Sequence, residues 1–193
     1  MQEIIKAELS SISQCMALLK AESSSIEKAV SICINSLNFG GKIIFCGNGG
    51  SAAQAQHLAA ELVGRYKLER RAMAALSLTV DTSNITAIGN DYGYDDIFRR
   101  QLEGLGRTGD VLIGLSTSGN SRNVVLAFEL AREMGVTTVA LTGEGSGKMK
   151  ELADICIAVP SRETNHIQEM HIAVGHILCG LVEKQITMRA DYA

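Results

Sequence analysis

Five short, mostly apolar runs recur along this chain, at Lys42–Cys46, Ala72–Leu78, Val111–Leu115, Val136–Leu141 and Ile155–Val159. Runs of this length are too short for buried helices and fit strands hidden on both faces. Between them, near 51–65, 94–105, 121–134 and 146–152, apolar residues fall at the three- and four-residue spacing of a helix. Strand and helix in alternation make a parallel sheet, because the crossover helix returns the chain to begin the next strand in the same direction. The expected fold class is therefore α/β, a three-layer αβα sandwich around a five-stranded parallel sheet.

Residues 2–37 carry a different pattern and predict two helices. Ile4, Ile5, Leu9, Ile12, Met16 and Leu19 mark the first; Ile26, Val30, Cys33, Ile34 and Leu37 mark the second. Ser23-Ser24-Ser25 provides the break between them and a cap for the second. A last long helix, about 164–187, bears Ile167, Met170, Val174, Ile177, Leu178 and Leu181. With one proline, Pro160, and no low-complexity stretch, the chain reads as a single domain over 1–193, with 1–37 packing on it as an extension. These helices offer more apolar surface than a small sheet can cover, which predicts a helix-mediated homo-oligomer.

Charge narrows the range of partners. Eighteen basic against twenty-one acidic side chains leave a net charge of −3, whereas binding to nucleic-acid phosphates calls for a basic surface. No window holds enough consecutive apolar residues to cross a membrane, and Met1–Glu8 lacks the basic and apolar regions of a signal peptide. A cytoplasmic location is expected. Cys15, Cys33, Cys46, Cys156 and Cys179 form no CxxC pair, and most stand among apolar neighbours, so they read as structural thiols.

Each predicted strand ends in small or polar residues, and in open α/β sheets ligands bind beyond those strand ends. Ser116-Thr117-Ser118-Gly119-Asn120-Ser121 combines hydroxyl donors, a glycine and a helix start, which together suit a phosphate monoester without a lysine or arginine. Gly47-Asn48-Gly49-Gly50-Ser51 permits close backbone approach and offers Ser51 as a cap for the next helix. GxxxxGK[ST] is absent, which argues against a nucleoside triphosphatase, and the first loop, Gly47–Ser51, lacks the GxGxxG spacing of a dinucleotide fold. The two loops read as two walls of one sugar-phosphate pocket.

His57 and Glu61 lie four residues apart, hence on one helix face. They are either an exposed pair or a metal or acid–base site. The final helix carries His166, His171 and His176. His176 sits in an apolar stretch and is either a core histidine or a functional one, while His166 and His171 flank charged residues and are expected to be solvated.

Taken together, Cys46-Gly47-Asn48-Gly49-Gly50-Ser51-Ala52, Gln56-His57-Leu58-Ala59-Ala60-Glu61-Leu62, Ala87-Ile88-Gly89-Asn90-Asp91-Tyr92-Gly93, Gly114-Leu115-Ser116-Thr117-Ser118-Gly119-Asn120-Ser121 and Ile167-Gln168-Glu169-Met170-His171 with His176 resemble the sugar isomerase (SIS) domain family, and within it the phosphoheptose isomerases. The resemblance covers nearly the whole chain. It implies a flavodoxin-like SIS fold, a homotetramer, and isomerisation of sedoheptulose 7-phosphate to D-glycero-D-manno-heptose 7-phosphate through an enediol, for heptose of lipopolysaccharide or other surface glycans. It further implies Glu61 and His176 as the catalytic base and acid–base partner. Ser116, Thr117, Ser118 and Ser121 would hold the phosphate, and Asn48, Gly49, Gly50, Ser51, Asn90, Asp91 and Gln168 the sugar. A zinc site is implied from His57, Glu61, Gln168 and His176. Where some relatives carry an aspartate, this chain has Asn165. The alternative is a non-catalytic SIS scaffold that binds the bacterial replication initiator; as that branch is understood, it lacks the residues matching Glu61 and His176.

Overall fold

The structure, a computed structural model, describes residues 1–190. Strands β1 (Ile43–Gly47), β2 (Ala75–Ser77), β3 (Val111–Ser116), β4 (Thr137–Thr142) and β5 (Ile155–Ala158) form one parallel sheet in the order β2-β1-β3-β4-β5. Helices α1 (Gln2–Leu18) and α2 (Ser23–Asn38) precede it; α3 (Gly50–Val63), α4 (Thr82–Asp91), α5 (Ile97–Leu105), α6 (Arg122–Glu133), α7 (Met149–Leu152) and α8 (Thr164–Ala190) follow their strands. The expected three-layer α/β sandwich is present.

Side-chain alternation along the strands builds the two outer layers. Ile43, Phe45, Val111, Ile113, Leu115, Val139 and Leu141 share one core with residues of α2, α3 and α8. Ile44, Cys46, Leu112 and Ala140 turn the other way, to meet α5, α6 and α7. Both faces are dry, which is why the strands read as continuous apolar runs. In register, Gly47 pairs with Leu115, and Ser116 with Thr142, so the loops after β1, β3 and β4 emerge along one edge. The chain leaves β1 toward β2 on one side and later returns to β3 on the other. The gap between β1 and β3 is therefore the switch point at which such sheets bind ligands.

Three local expectations need correction. Helix α4 is not signalled by periodicity: Thr82-Ser83-Asn84-Ile85-Thr86 are poor helix formers and none of its residues is buried, yet Asp81 caps it by accepting from the Asn84 N–H at 3.0 Å. Ser23, Ser24 and Ser25 lie inside the first turn of α2, behind a 3₁₀ turn at Leu19–Glu22, and supply no side-chain cap. Likewise Ser51 lies within α3, whose cap position is Gly49. As expected, the thiols are free; burial pushes Cys46 and Cys179 up to about 12, so both stay protonated.

Candidate active site

The serine loop and the glycine loop flank the switch point. Ser116 closes β3 and is buried, its hydroxyl 2.9 Å from that of Ser121, which immediately precedes α6. Thr117 and Ser121 are half-buried and Ser118 is exposed. Behind Ser121 the unpaired first-turn N–H groups and the positive dipole end of α6 add donors, so a dianion can be held with no ionised side chain between 116 and 121. Gly119, at φ +65, is indispensable: a Cβ there would stand 1.9 Å from the Ser146 carbonyl oxygen. The loop over 143–148 thus braces the serine loop from behind, and the Lys148 N–H donates to Asn120 Oδ1 at 3.0 Å.

Across the gap, Gly49 takes φ +55 and ψ −123, a region closed to residues with a Cβ, to turn the chain into α3. Asn48 pairs reciprocally with Asn123: each amide donates to the other's oxygen, at 2.8 and 2.9 Å. The Tyr94 hydroxyl also donates to Asn48 Oδ1 at 2.9 Å. These bonds join the two loops, and they leave Asn48 one free N–H for a ligand. Gln168, on α8, presses its amide against Gly50, where a Cβ would come within 2.7 Å. Asn90 and Asp91 are exposed at the end of α4, where the Asn90 amide donates to Asp91 at 2.8 Å.

Farther along α3 lies an ionisable cluster. Gly175 lets α8 approach α3 so closely that a Cβ would meet the Leu58 methyls at 2.5 Å. The residues beside this crossing, His57 and His176, bring their Nε2 atoms to 2.9 Å, and Glu61 Oε1 lies 3.3 Å from His57 Nε2. One imidazole therefore donates to the other, which fixes opposite tautomers while both are neutral. Tyr66 stacks on His176 with ring centroids 5.7 Å apart and 23° between planes. The three ligand atoms lie within 4.8 Å of one another. Two donors on tetrahedral zinc stand roughly 3.3 Å apart, so the N, N and O set fits such an ion with small displacement.

The structure thus gathers His57, Glu61 and His176, and it gathers the two loops with Gln168. It does not bring Gln168 to the histidines: eight residues, about two turns of α8, separate it from His176. His166 and His171, expected in solvent, are buried. Burial lowers His171 to about 4, and neither of its ring nitrogens has a hydrogen-bond partner. The sequence reading missed Tyr66, Tyr94 and Asn123. Asn123, a polar residue facing the apolar side of α6, leaves a visible signal; Tyr66 leaves none.

The chain matches the SIS domain family model over residues 9–143. It is 64% identical over 186 residues to the phosphoheptose isomerase of Akkermansia muciniphila, covering 96% of this chain and 98% of that one. To that of Rhodospirillum rubrum it is 56% identical over 183 residues, covering 95% and 97%. Solved phosphoheptose isomerases from Neisseria gonorrhoeae and Francisella tularensis superpose with TM-scores of 0.90 and 0.91 at 41% and 34% identity, each covering 95% of this chain and 98% of the other. The isomerase name on these relatives leaves the scaffold alternative without support. By sequence and by fold, this chain belongs to the SIS domain family, in its phosphoheptose isomerase branch.

Proposed function

We propose that this chain is an aldose–ketose isomerase converting sedoheptulose 7-phosphate to D-glycero-D-manno-heptose 7-phosphate, the first step toward heptose of lipopolysaccharide or another surface glycan, in the cytoplasm. One observation carries the reading: Glu61, His57 and His176 converge two to three helical turns along α3 from the loops suited to phosphate. A sugar phosphorylated on C7 and reacting at C1 and C2 has its anion and its chemistry at opposite ends, as these two subsites do.

Ser116, Thr117, Ser118 and Ser121 hold the phosphate. Asn48, Gly49, Gly50, Ser51, Asn90, Asp91 and Gln168 face the sugar. The Glu61 carboxylate takes a proton from C1, and the C–H electron pair becomes the C1–C2 double bond while O2 receives a proton from His176. Glu61 then returns its proton to C2, O1 gives its proton back to His176, and C1 becomes the aldehyde carbon. Atoms and electrons balance without a redox partner. His57, Glu61 and His176 would hold zinc, with Gln168 as a fourth ligand from a neighbouring copy; when bound, zinc would polarise the substrate carbonyl as a Lewis acid, and an atom of Glu61 or His176 on the metal would not carry the proton in the same step.

The reading includes one domain over 1–193 and a homotetramer joined through the helices. Helix α1 has no buried residue, and Ile4, Ile5 and Leu9 on it are exposed. On α8, Ile177, Leu181 and Met188 line a cleft of about 550 Å³ that opens beside His176, and a second copy seated there would cover this surface. No helix among the described residues is long and apolar enough to cross a membrane, and no nucleic-acid partner is assigned. Proton NMR of sedoheptulose 7-phosphate in heavy water is expected to show an aldoheptose phosphate labelled at C2, with turnover reduced by chelator. Absence of turnover by the metal-replete protein overturns the activity; full turnover after chelation overturns a catalytic metal. Sedimentation at micromolar concentration tests the tetramer.

A further inference from the structure

We infer that Arg70 and Glu183 are positioning residues that set the spacing between Glu61 and His176; the inference rests on the isomerase reading above. Their side chains form an ion pair, 3.2 Å from Nε to Oε1, with 5% and 1% of the side chains exposed. Each partner reaches a different side of the ionisable cluster.

Arg70 serves α3. Its two terminal nitrogens donate to the carbonyls of Glu61 and Leu62 at 2.8 Å, and to Gly64 at 2.9 Å. The Glu61 and Leu62 carbonyls belong to the last turn of α3 and Gly64 caps it; carbonyls there lack N–H donors from within the helix, and a cation is favoured. The guanidinium thus fixes the backbone that carries the Glu61 carboxylate. Glu183 serves α8, two turns beyond His176. Its oxygens accept from the N–H groups of Tyr66 and Lys67 at 2.8 Å and of Leu68 at 3.0 Å. Burial alone would raise this carboxyl, but the three N–H donors and Arg70 hold it below its ordinary value. Holding Tyr66 in turn holds the ring stacked on His176, and Gly180 leaves room for it, since a Cβ there would stand 3.0 Å from that ring.

The two helices that supply the acid–base pair meet at Gln54 and Gly50 with Gln168 and at the Gly175–Leu58 crossing. The ion pair adds a link beyond the cluster, reaching the Glu61 carbonyl through Arg70 and the ring stacked on His176 through Glu183. Lysine lacks the guanidinium fork, and glutamine would turn an N–H₂ toward backbone donors, so R70K and E183Q each break the geometry at nearly constant volume.

The test compares R70K, E183Q and Y66A with Y66F and with D110N. D110N breaks another ion pair, between Lys42 and Asp110, which precede the central strands β1 and β3 and bond to neither Glu61, Tyr66 nor His176. In the metal-replete protein, R70K, E183Q and Y66A are expected to lower kcat 10- to 100-fold with KM within twofold. Y66F, which keeps the ring, retains activity within threefold, and so does D110N. The inference is overturned if R70K and E183Q keep kcat within twofold, or if D110N at equal loss of Tm lowers kcat as much. Should wild-type protein show no turnover, the isomerase reading fails separately. Nitrogen-15 spectra of the His57–His176 hydrogen bond in the metal-free protein then decide positioning: loss in E183Q with retention in D110N supports it, and retention in both overturns it.

Discussion

The two ends of α3 handle charge in opposite ways. At its start, the serine and glycine loops offer hydroxyls, backbone N–H groups and a helix dipole, all neutral, to the anion of the function proposed above. Near its end, His57, Glu61 and His176 form a cluster of titratable groups whose geometry depends on a second helix more than a hundred residues away. Neutral donors hold a phosphate without themselves exchanging protons, whereas proton transfer requires groups that change charge. On the function proposed above, grip and chemistry are separate, and each half is expected to be damaged alone.

Removing the base should give the largest effect. Glu61→Gln is expected to lower kcat roughly 10³- to 10⁴-fold with KM for sedoheptulose 7-phosphate little changed, measured by steady-state kinetics. An equal rise in KM would blur the division between the two ends. The complementary change, Ser116→Ala with Ser118→Ala, should raise KM roughly 100-fold, as expected for two hydrogen bonds to a charged group at about 1.5 kcal/mol each. Its kcat at saturation should fall far less; a collapse of kcat would show that the loop takes part in the chemistry.

A third prediction concerns His171, which stands outside both halves. Its folded-state value, lowered by burial to about 4 from an ordinary 6.5, means the unfolded chain binds more protons between those values. Its contribution is complete above pH 6.5 and is lost as pH falls toward 4. Between pH 7 and pH 5 that amounts to about 2 kcal/mol, and His171→Leu should flatten this part of a urea-melt series. An unchanged slope would show that His171 does not titrate in this window.

What the sequence made legible follows the same division. Apolar runs read as strands because both faces of the sheet are dry, and the serine and glycine loops read as ligand walls because their residues are contiguous. His57 and Glu61 shared a helix face, but nothing local linked them to His176; that link required the Gly175–Leu58 crossing, and before the structure it rested on resemblance alone. His171 was misread because charged neighbours in sequence say little about which side of a long helix meets the sheet. Helix α4 escaped notice because none of its residues is fully buried and only Ile85 and Ile88 pack against the core, too few to impose a periodicity. Tyr66 acquires its importance only from Glu183, far downstream.

Helix α3 is a rod of fourteen residues, about 21 Å long, anchored at its start by Gln168 on Gly50 and near its end by Arg70. A rod of that kind cannot shorten to suit a smaller guest. On the function proposed here it works as a gauge: a sugar phosphate with fewer carbons, docked by its ester, would leave its carbonyl short of the carboxylate. Selection for chain length would then come from the fixed rise of a helix, with no side chain assigned to reject the wrong sugar.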